Sequence, residues 1–169
     1  MAKKDVFSSG VEAFSLGFIK GSETAVRVTA GKTFKDITFD SPVGFFGGGR
    51  FRGNWFASGS QPSVKVTNKT DKGGSGTVAA MQKVVFGLED WSTFTYTNNL
   101  PYANVIEFGG YPDPVKLGTQ TGKTPEGKPI YEKFSKGGFS KQAPHGVVRR
   151  NISKARRLLE VEAKKALPK

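Results

Sequence analysis

A chain of 169 residues with 36% hydrophobic residues can bury one core, and we therefore expect a single domain over 1–169, with residues 1–10 flexible. The chain has no cysteine and one histidine, His145, which excludes disulfides and zinc–thiolate sites and argues against a histidine metal site or a catalytic triad. No apolar run approaches the roughly 18 residues of a membrane span, and the residues that follow Met1 do not predict a secretory signal.

The formal net charge of +12 indicates attraction to an acidic partner such as nucleic acid, an acidic protein or a membrane face. The charge is concentrated at the C-terminal end of the chain. From Lys133 to Lys169 there are eleven basic residues, opposed only by Glu160 and Glu162, which gives this part a net charge of +9. The rest of the chain is nearly balanced.

The N-terminal part predicts two helices. A short helix over 11–20, with Phe14 and Phe18 on one apolar face, is expected to end at Gly21. A second helix is expected to start at an N-cap, Ser22, and to end before Pro42.

A glycine-rich loop over 44–49 follows and carries Phe45 and Phe46. Residues 51–58, which include Trp55, are typical of a strand, and 64–67 is its expected partner.

The remaining pattern predicts a helix over 75–87, a strand over 93–97, a long arm or loop over 110–138 and a C-terminal helix over 143–166. A turn at 124–127 could close the arm as a hairpin. This order of elements predicts an α+β fold, with a small, mainly antiparallel sheet packed by an N-terminal, a middle and a long C-terminal helix.

The stretch from 98 to 110 joins the predicted strand to the arm. Pro101 suits the first position of a short helix containing Tyr102, and Gly109 can end it. Glu107 lies at the C-terminal end of this turn, where the helix dipole disfavours a negative charge. It is either a solvated loop residue or the partner of a cation, and two arginines earlier in the chain, Arg50 and Arg52, are candidates.

No combination of residues indicates catalysis. The loop from Gly44 to Phe51 has the spacing of a phosphate-binding P-loop, but Arg50-Phe51 stands where lysine and a hydroxyl residue are needed. His145 reads as a residue in the first turn of the last helix, and Glu89-Asp90 as a solvated pair. We therefore expect no enzymatic activity, no cofactor and no metal.

The basic C-terminal helix is a stronger indication of function. Its apolar stripe includes Ile152 and Leu159, and its cations could lie along phosphates, contact an acidic neighbour or simply keep the outer face soluble. The candidate contact residues are Arg149, Arg150, Lys154, Arg156 and Arg157.

Three stretches, in this order, resemble one family. The first, 41–55, ends in Gly-Arg-Phe-Arg-Gly-Asn-Trp and is similar to a family pattern Thr-Pro-Val-Asp-Thr-Gly-Arg-Leu-Arg-Gly-Asn-Trp. The second is Asn-Asn-Leu-Pro-Tyr-Ala followed by Ile-Glu-Phe-Gly, at 98–109. The third, at 139–149, is similar to Ser-Lys-Gln-Ala-Pro-x-Gly-Met-Val-Arg. Together they resemble the tail-completion, or neck, proteins of long-tailed bacteriophages, related to the minor tail protein Z of phage lambda.

The resemblance covers roughly residues 22–165, with two departures. The Asp-Thr of the first pattern is replaced by a longer insertion, Gly44–Gly48, and the arm over 110–138 is longer than in compact relatives. Nine residues carry the resemblance as structural motif positions: Arg50, Arg52, Trp55, Pro101, Tyr102, Glu107, Gly109, Ala143 and Pro144.

The resemblance implies a structural virion protein that assembles in the host cytoplasm as a ring of six at the head-proximal end of the tail. Its implied partners are further copies of itself, the tail terminator, the head-completion or stopper protein, the C-terminus of the tape measure and the DNA in the channel, with no membrane contact. Phe45 and Phe46 would contact neighbouring subunits. Glu107, paired with Arg50 or Arg52, would be a buried latch. A free-standing basic nucleic-acid-binding module is the alternative.

Overall fold

The computed structural model describes residues 6–44, 48–110, 117–133 and 137–167. The described residues form five helices and four short strands, in the order α1 (Val6–Asp40), α2 (Arg50–Gly53), β1 (Phe56–Ser58), α3 (Ser75–Gly87), β2 (Thr95–Thr97), α4 (Ala103–Phe108), β3 (Leu117–Lys123), β4 (Pro129–Lys133) and α5 (Val148–Ala166). Long helices combined with small antiparallel sheets confirm the predicted α+β class. Phe45 and Phe46 lie outside the described residues.

Helix α1 is one helix of 35 residues, so the predicted break at Gly21 was wrong. At Gly21 helices α1 and α5 approach closely, since a Cβ atom there would lie 2.5 Å from the carbonyl oxygen of Ala166. Packing against α5 therefore outweighs the cost of about 1 kcal/mol that glycine carries inside a helix.

Helices α1 and α5 pack antiparallel. At one end the amide of Asn151 donates to the Asp40 carboxylate at 2.9 Å, and Arg150 lies 2.6 Å from the same oxygen. Closer to the other end, Lys32 pairs with Glu162 at 2.9 Å. The packed side of α5 is thus partly polar, and Ile152 and Leu159, expected to lie in its apolar stripe, are exposed.

Helix α5 begins at Val148, later than predicted. Ala143 and Pro144 belong to a turn before it, and His145 lies in that turn and not in the first turn of the helix. Gly146 explains the late start, because its φ of +75° is incompatible with a right-handed helix.

The two sheets are both antiparallel pairs. Strand β1 pairs with β2, with Phe56 opposite Thr97. The predicted strand over 51–58 was too long, because its first residues form the helical turn α2. The predicted partner over 64–67 was wrong. That segment has no strand. Side chains hold it instead: the amide of Asn99 donates to the carbonyl oxygen of Lys65 at 3.2 Å, and the amide oxygen of Asn54 accepts from the backbone N–H of Thr67 at 2.7 Å.

Other local predictions were confirmed. Helix α3 covers the predicted 75–87, and β2 lies within 93–97. In the predicted arm, β3 and β4 form a hairpin closed by the turn at 124–127, where Gly127 has a φ of +81°.

The core lies between α1, α3 and the β1–β2 pair. Tyr96 stacks between two other aromatic rings, with centroids 4.5 Å from Phe34 and 5.0 Å from Trp55. Met81 and Val85 of α3 are fully buried against the same cluster. Among the described residues, none of the helices combines the length and apolar character that crossing a membrane requires.

Candidate functional site

Arg52 ties the turn α2 to the end of α1. Its guanidinium donates to the carbonyl oxygens of Phe39 at 2.7 Å, Ser41 at 2.8 Å and Lys72 at 2.6 Å. Phe39 and Ser41 lie at the C-terminal end of α1, where carbonyls lack helical partners and the dipole favours a cation. Burial lowers the pKa of Arg52, and the nearby carboxylate of Asp71 opposes this shift.

Trp55 holds the same end of α1 from the inside. Its indole N–H donates to the hydroxyl of Ser41 at 2.8 Å, and that hydroxyl donates to the carbonyl oxygen of Ile37 at 2.7 Å. The ring of Phe51 meets the indole edge-on at 5.7 Å. Because Trp55 and Ser41 are both buried, this hydrogen bond fixes the position of the indole in the core.

Asn54, which the sequence did not indicate as a structural residue, is fully buried. Its amide nitrogen donates to the carbonyl oxygen of Arg50 at 2.8 Å, and its amide oxygen accepts from the backbone N–H of Thr67 at 2.7 Å. Asn54 therefore connects α2 to the segment after β1. Its place between glycine and tryptophan in the first stretch was the signal that could have revealed it.

The second stretch forms α4, as predicted. Pro101 and Tyr102 precede the helix, so Pro101 is not its first residue, and the Tyr102 ring lies 6.0 Å from Phe51 of the first stretch. Gly109 ends the helix with a φ of +70°. A Cβ atom at Gly109 would lie 2.6 Å from the carbonyl oxygen of Gly137, so only glycine fits there.

Glu107 caps the N-terminus of α5. One carboxylate oxygen accepts the backbone N–H groups of Val147 at 2.7 Å and Val148 at 2.8 Å, and the other accepts the N–H of Arg149 at 3.0 Å. Arg149 also donates from Nε to the carboxylate at 3.2 Å and from Nη2 to the Glu107 carbonyl oxygen at 2.6 Å. The carboxylate thereby satisfies N–H groups that have no partner inside the helix, at the positive end of its dipole.

The expected cationic partner of Glu107 exists, but it is Arg149. Pairing with Arg50 or Arg52 was the wrong prediction, because the Arg52 guanidinium is used at the end of α1 and Glu107 faces the start of α5. The Glu107 side chain is only 13% exposed. Burial acts to raise its pKa, but the hydrogen bonds from the three backbone N–H groups and Arg149 hold the pKa of Glu107 below its ordinary value.

Gly146 makes this close contact possible. A Cβ atom at this position would lie 2.5 Å from the Glu107 carbonyl oxygen and 2.9 Å from its side-chain carboxylate. The φ of +75° is also a conformation that other residues rarely adopt. Gly146 belongs to the third stretch, but the sequence alone did not predict its contact with Glu107.

The third stretch also reaches back to the first. The side-chain oxygen of Gln142 accepts from the backbone N–H of Val43 at 3.0 Å. Ala143 is buried in the core beside Val147, and Pro144 follows in the turn. The turn thus connects the start of α5 to the segment that follows α1.

All three stretches line one cleft of about 280 Å³. Its walls include Phe51 and Trp55 from the first stretch, Asn98 and Phe108 from the second, and Val147 and Val148 from the third. Asn98 also donates to the carbonyl oxygen of Phe51 at 2.8 Å. The arrangement is a packed junction in which polar side chains mostly satisfy backbone groups.

The five candidate contact residues of α5 divide into two groups. Arg149 pairs with Glu107, Arg150 with Asp40 and Arg156 with Glu160. Within the part of the chain that the structure describes, Lys154 and Arg157 are exposed and form no ion pair. These two residues are therefore the candidate cations that remain available to a partner.

The described ranges contain no group of three or more acidic, histidine or cysteine residues that could hold a metal ion. Comparison of the chain with protein-family models, with curated proteins and with solved structures gave no match in any of the three.

Proposed function

We propose that this chain is a structural virion protein that forms a ring at the head-proximal end of a phage tail, completing the tail and joining it to the head around the DNA channel. The role is positioning, with no catalysis. The observation that carries the proposal is the contact of Glu107 with the start of α5, which joins the second stretch of the resemblance to the third.

Contacts among all three stretches support the proposal. Tyr102 packs near Phe51, and Gln142 accepts a hydrogen bond from Val43. Stretches far apart in sequence thus act as one structural unit. This is what an ordered set of motifs belonging to one fold requires, whereas chance matches would have no reason to meet.

The proposed partners follow from the ring assignment. They are further copies of the chain, in a ring of six, the tail terminator, the head-completion or stopper protein, the C-terminus of the tape measure and the DNA passing through the lumen. Exposed Lys154 and Arg157 could face the DNA phosphates or an acidic neighbouring ring.

Deletion of the gene from the phage that encodes the chain tests this proposal. We expect filled heads and full-length tails to accumulate unjoined, and infectivity to return when the chain is supplied from a plasmid. Joined, infectious particles with ordinary necks in the deletion strain would overturn the proposal.

A charge-reversal variant tests whether the exposed cations of α5 are needed for joining, without changing the rest of the fold. Lys154→Glu with Arg157→Glu should fail to restore joining or DNA retention. The matched control, Lys123→Glu with Lys128→Glu in the hairpin, makes the same change in net charge and should restore it. Full restoration by the α5 variant would exclude a functional contact at these two cations.

The alternative is a free-standing basic nucleic-acid-binding module, which the exposed cations Lys154 and Arg157 on α5 also favour. Such a module would bind DNA as a monomer, and its affinity would fall steeply as salt rises. Light scattering together with a salt titration of DNA binding distinguishes the two functions. If the chain is monomeric, binds DNA with strongly salt-dependent affinity and is absent from the phage particle, the nucleic-acid-binding function is the correct one.

A further inference from the structure

The N-terminal part of α1 extends past the end of α5. Helix α5 ends at Ala166, whose carbonyl oxygen would lie 2.5 Å from a Cβ atom on Gly21. Residues 6–20 of α1 therefore lie beyond the last described turn of α5.

This segment carries an exposed row of large apolar side chains, which we call the α1 stripe: Phe7, Val11, Phe14 and Phe18. Their spacing of four, three and four residues places all four on one face of a helix. Their exposed fractions are 77% for Phe7, 50% for Val11, 60% for Phe14 and 49% for Phe18.

The α1 stripe continues the helix–helix contact inside the fold. Seven residues after Phe18 is Ala25, which is buried, and seven further is Lys32, which pairs with Glu162 of α5. The face of α1 that packs on α5 from residue 21 onward is therefore the same face that is exposed from residue 7 to residue 18. The apolar pattern predicts a neighbouring helix along the whole length of this face of α1.

We propose that the α1 stripe packs against the α1 stripe of a second copy of this chain. A row of apolar residues with spacings of four and three is complementary to another copy of itself. Residues 6–20 contain only two charged residues, Glu12 and Lys20, so two copies of this segment meet without net repulsion even though the chain carries +12 overall.

The composition of the segment argues against the other occupants. Nucleic acid and acidic proteins are attracted to cations, and Lys20 is the only one here. A helix that lies on a membrane surface usually has lysine and arginine along its polar face, where this segment has serines, Glu12 and the exposed Leu16 and Ile19. Stripe-to-stripe pairing joins two copies about a two-fold axis, so it is a contact separate from those that close the proposed ring, and the inference goes beyond the proposed function.

Sedimentation velocity of the full chain over a range of concentrations tests the pairing. The wild type should associate in the tens of micromolar, and Phe14→Glu with Phe18→Glu should weaken association by at least about tenfold. The control, Ala13→Glu with Leu16→Glu, adds the same charge to exposed positions on the other side of the helix and should associate like the wild type. Circular dichroism and thermal unfolding should match in all three, because none of these side chains packs in the core.

A cross-linking experiment gives an independent result, since the chain has no native cysteine. Val11→Cys should form a disulfide-linked dimer on mild oxidation, and Leu16→Cys should form little. A monomeric wild type, unchanged association in the Phe14→Glu, Phe18→Glu variant, or equal cross-linking at both positions would overturn the inference. Stripe-dependent binding of a monomeric chain to phosphatidylcholine vesicles would overturn it in favour of lipid.

Failure of this inference can be told apart from failure of the proposed function. If the wild type is monomeric, or the Phe14→Glu, Phe18→Glu variant associates as the wild type does, the stripe contact is wrong and the neck role stands. If the chain pairs through the stripe but is absent from tailed particles, the neck role is wrong and the stripe contact stands.

Discussion

Glu107 and Arg149 are 42 residues apart in sequence and form a two-way contact. The Glu107 carboxylate accepts the backbone N–H of Arg149 at 3.0 Å, while the Arg149 guanidinium donates to the Glu107 carbonyl oxygen at 2.6 Å. The guanidinium also lies 5.1 Å from the centre of the Phe108 ring. The end of one helix and the start of another are fixed together by these contacts.

Glu107→Gln should destabilise the fold by about 1–2 kcal/mol in urea denaturation, because the amide keeps the size of the side chain but loses the charge and one acceptor oxygen. Glu160→Gln is the matched control, since Glu160 is 60% exposed in its pair with Arg156 on the same helix. It should change the free energy of unfolding by less than about 0.5 kcal/mol. Equal effects of the two changes would contradict a capping role for Glu107.

A double-mutant cycle should assign the partner of Glu107. We expect a coupling of about 0.5–1 kcal/mol between Glu107 and Arg149, because Arg149 is exposed to solvent, and a coupling near zero between Glu107 and Arg52. Urea denaturation of the single and double alanine variants measures both. A larger coupling to Arg52 than to Arg149 would contradict the structure.

Stability should fall in acid. The pKa values of Glu107, Asp40 and Asp71 are all held below their ordinary values in the fold, because hydrogen bonds to these carboxylates outweigh the effect of burial. Their stabilising contribution is present above the unfolded-state pKa values of about 4 and is lost as pH falls through the lower folded-state values. Thermal unfolding should show a plateau above roughly pH 5.5 and a decline below about pH 4.5. Glu107→Gln should make the decline shallower; an unchanged slope would count against the cap.

Two glycines allow the close approach at Gly146 to be measured separately from its backbone conformation. Gly146 and Gly110 have φ values of +75° and +68°, but a Cβ atom at Gly110 would have nothing within 4 Å. Gly110→Ala should therefore cost about 1 kcal/mol for the conformation alone, and Gly146→Ala about 2–4 kcal/mol, because the added methyl group overlaps Glu107. Equal losses would show that the contact with Glu107 is looser than the structure has it.

Local signals allowed much of the fold to be predicted. Helix α3, strand β2, the hairpin turn and the glycine exit of α4 each depend on residues next to one another, so composition and spacing are enough. The helix break predicted at Gly21 was wrong because a glycine there leaves room for Ala166, which comes from the far end of the chain. In sequence, a glycine that breaks a helix cannot be told apart from a glycine that allows close packing.

The partner of Glu107 could not be predicted for a different reason. A search of the sequence for a charged partner considers side chains, whereas most of the hydrogen bonds to this carboxylate come from backbone N–H groups at 147–149. The clue was Gly146, two residues before the start of α5, since a glycine there leaves room for another chain segment at the helix end. The strand predicted over 64–67 was wrong because side chains, and not a backbone ladder, hold that segment: the Asn99 amide donates to the carbonyl oxygen of Lys65, and Asn54 accepts from the N–H of Thr67.

The neck role is tested most directly by an image of the head–tail junction of the phage that encodes this chain, averaged to a resolution at which helices are visible. We expect a ring of copies around the channel at the head-proximal end of the tail, each with the long α1 and α5 helices packed antiparallel. A junction whose density is fully accounted for by other proteins, with no copy of this fold, would contradict the account.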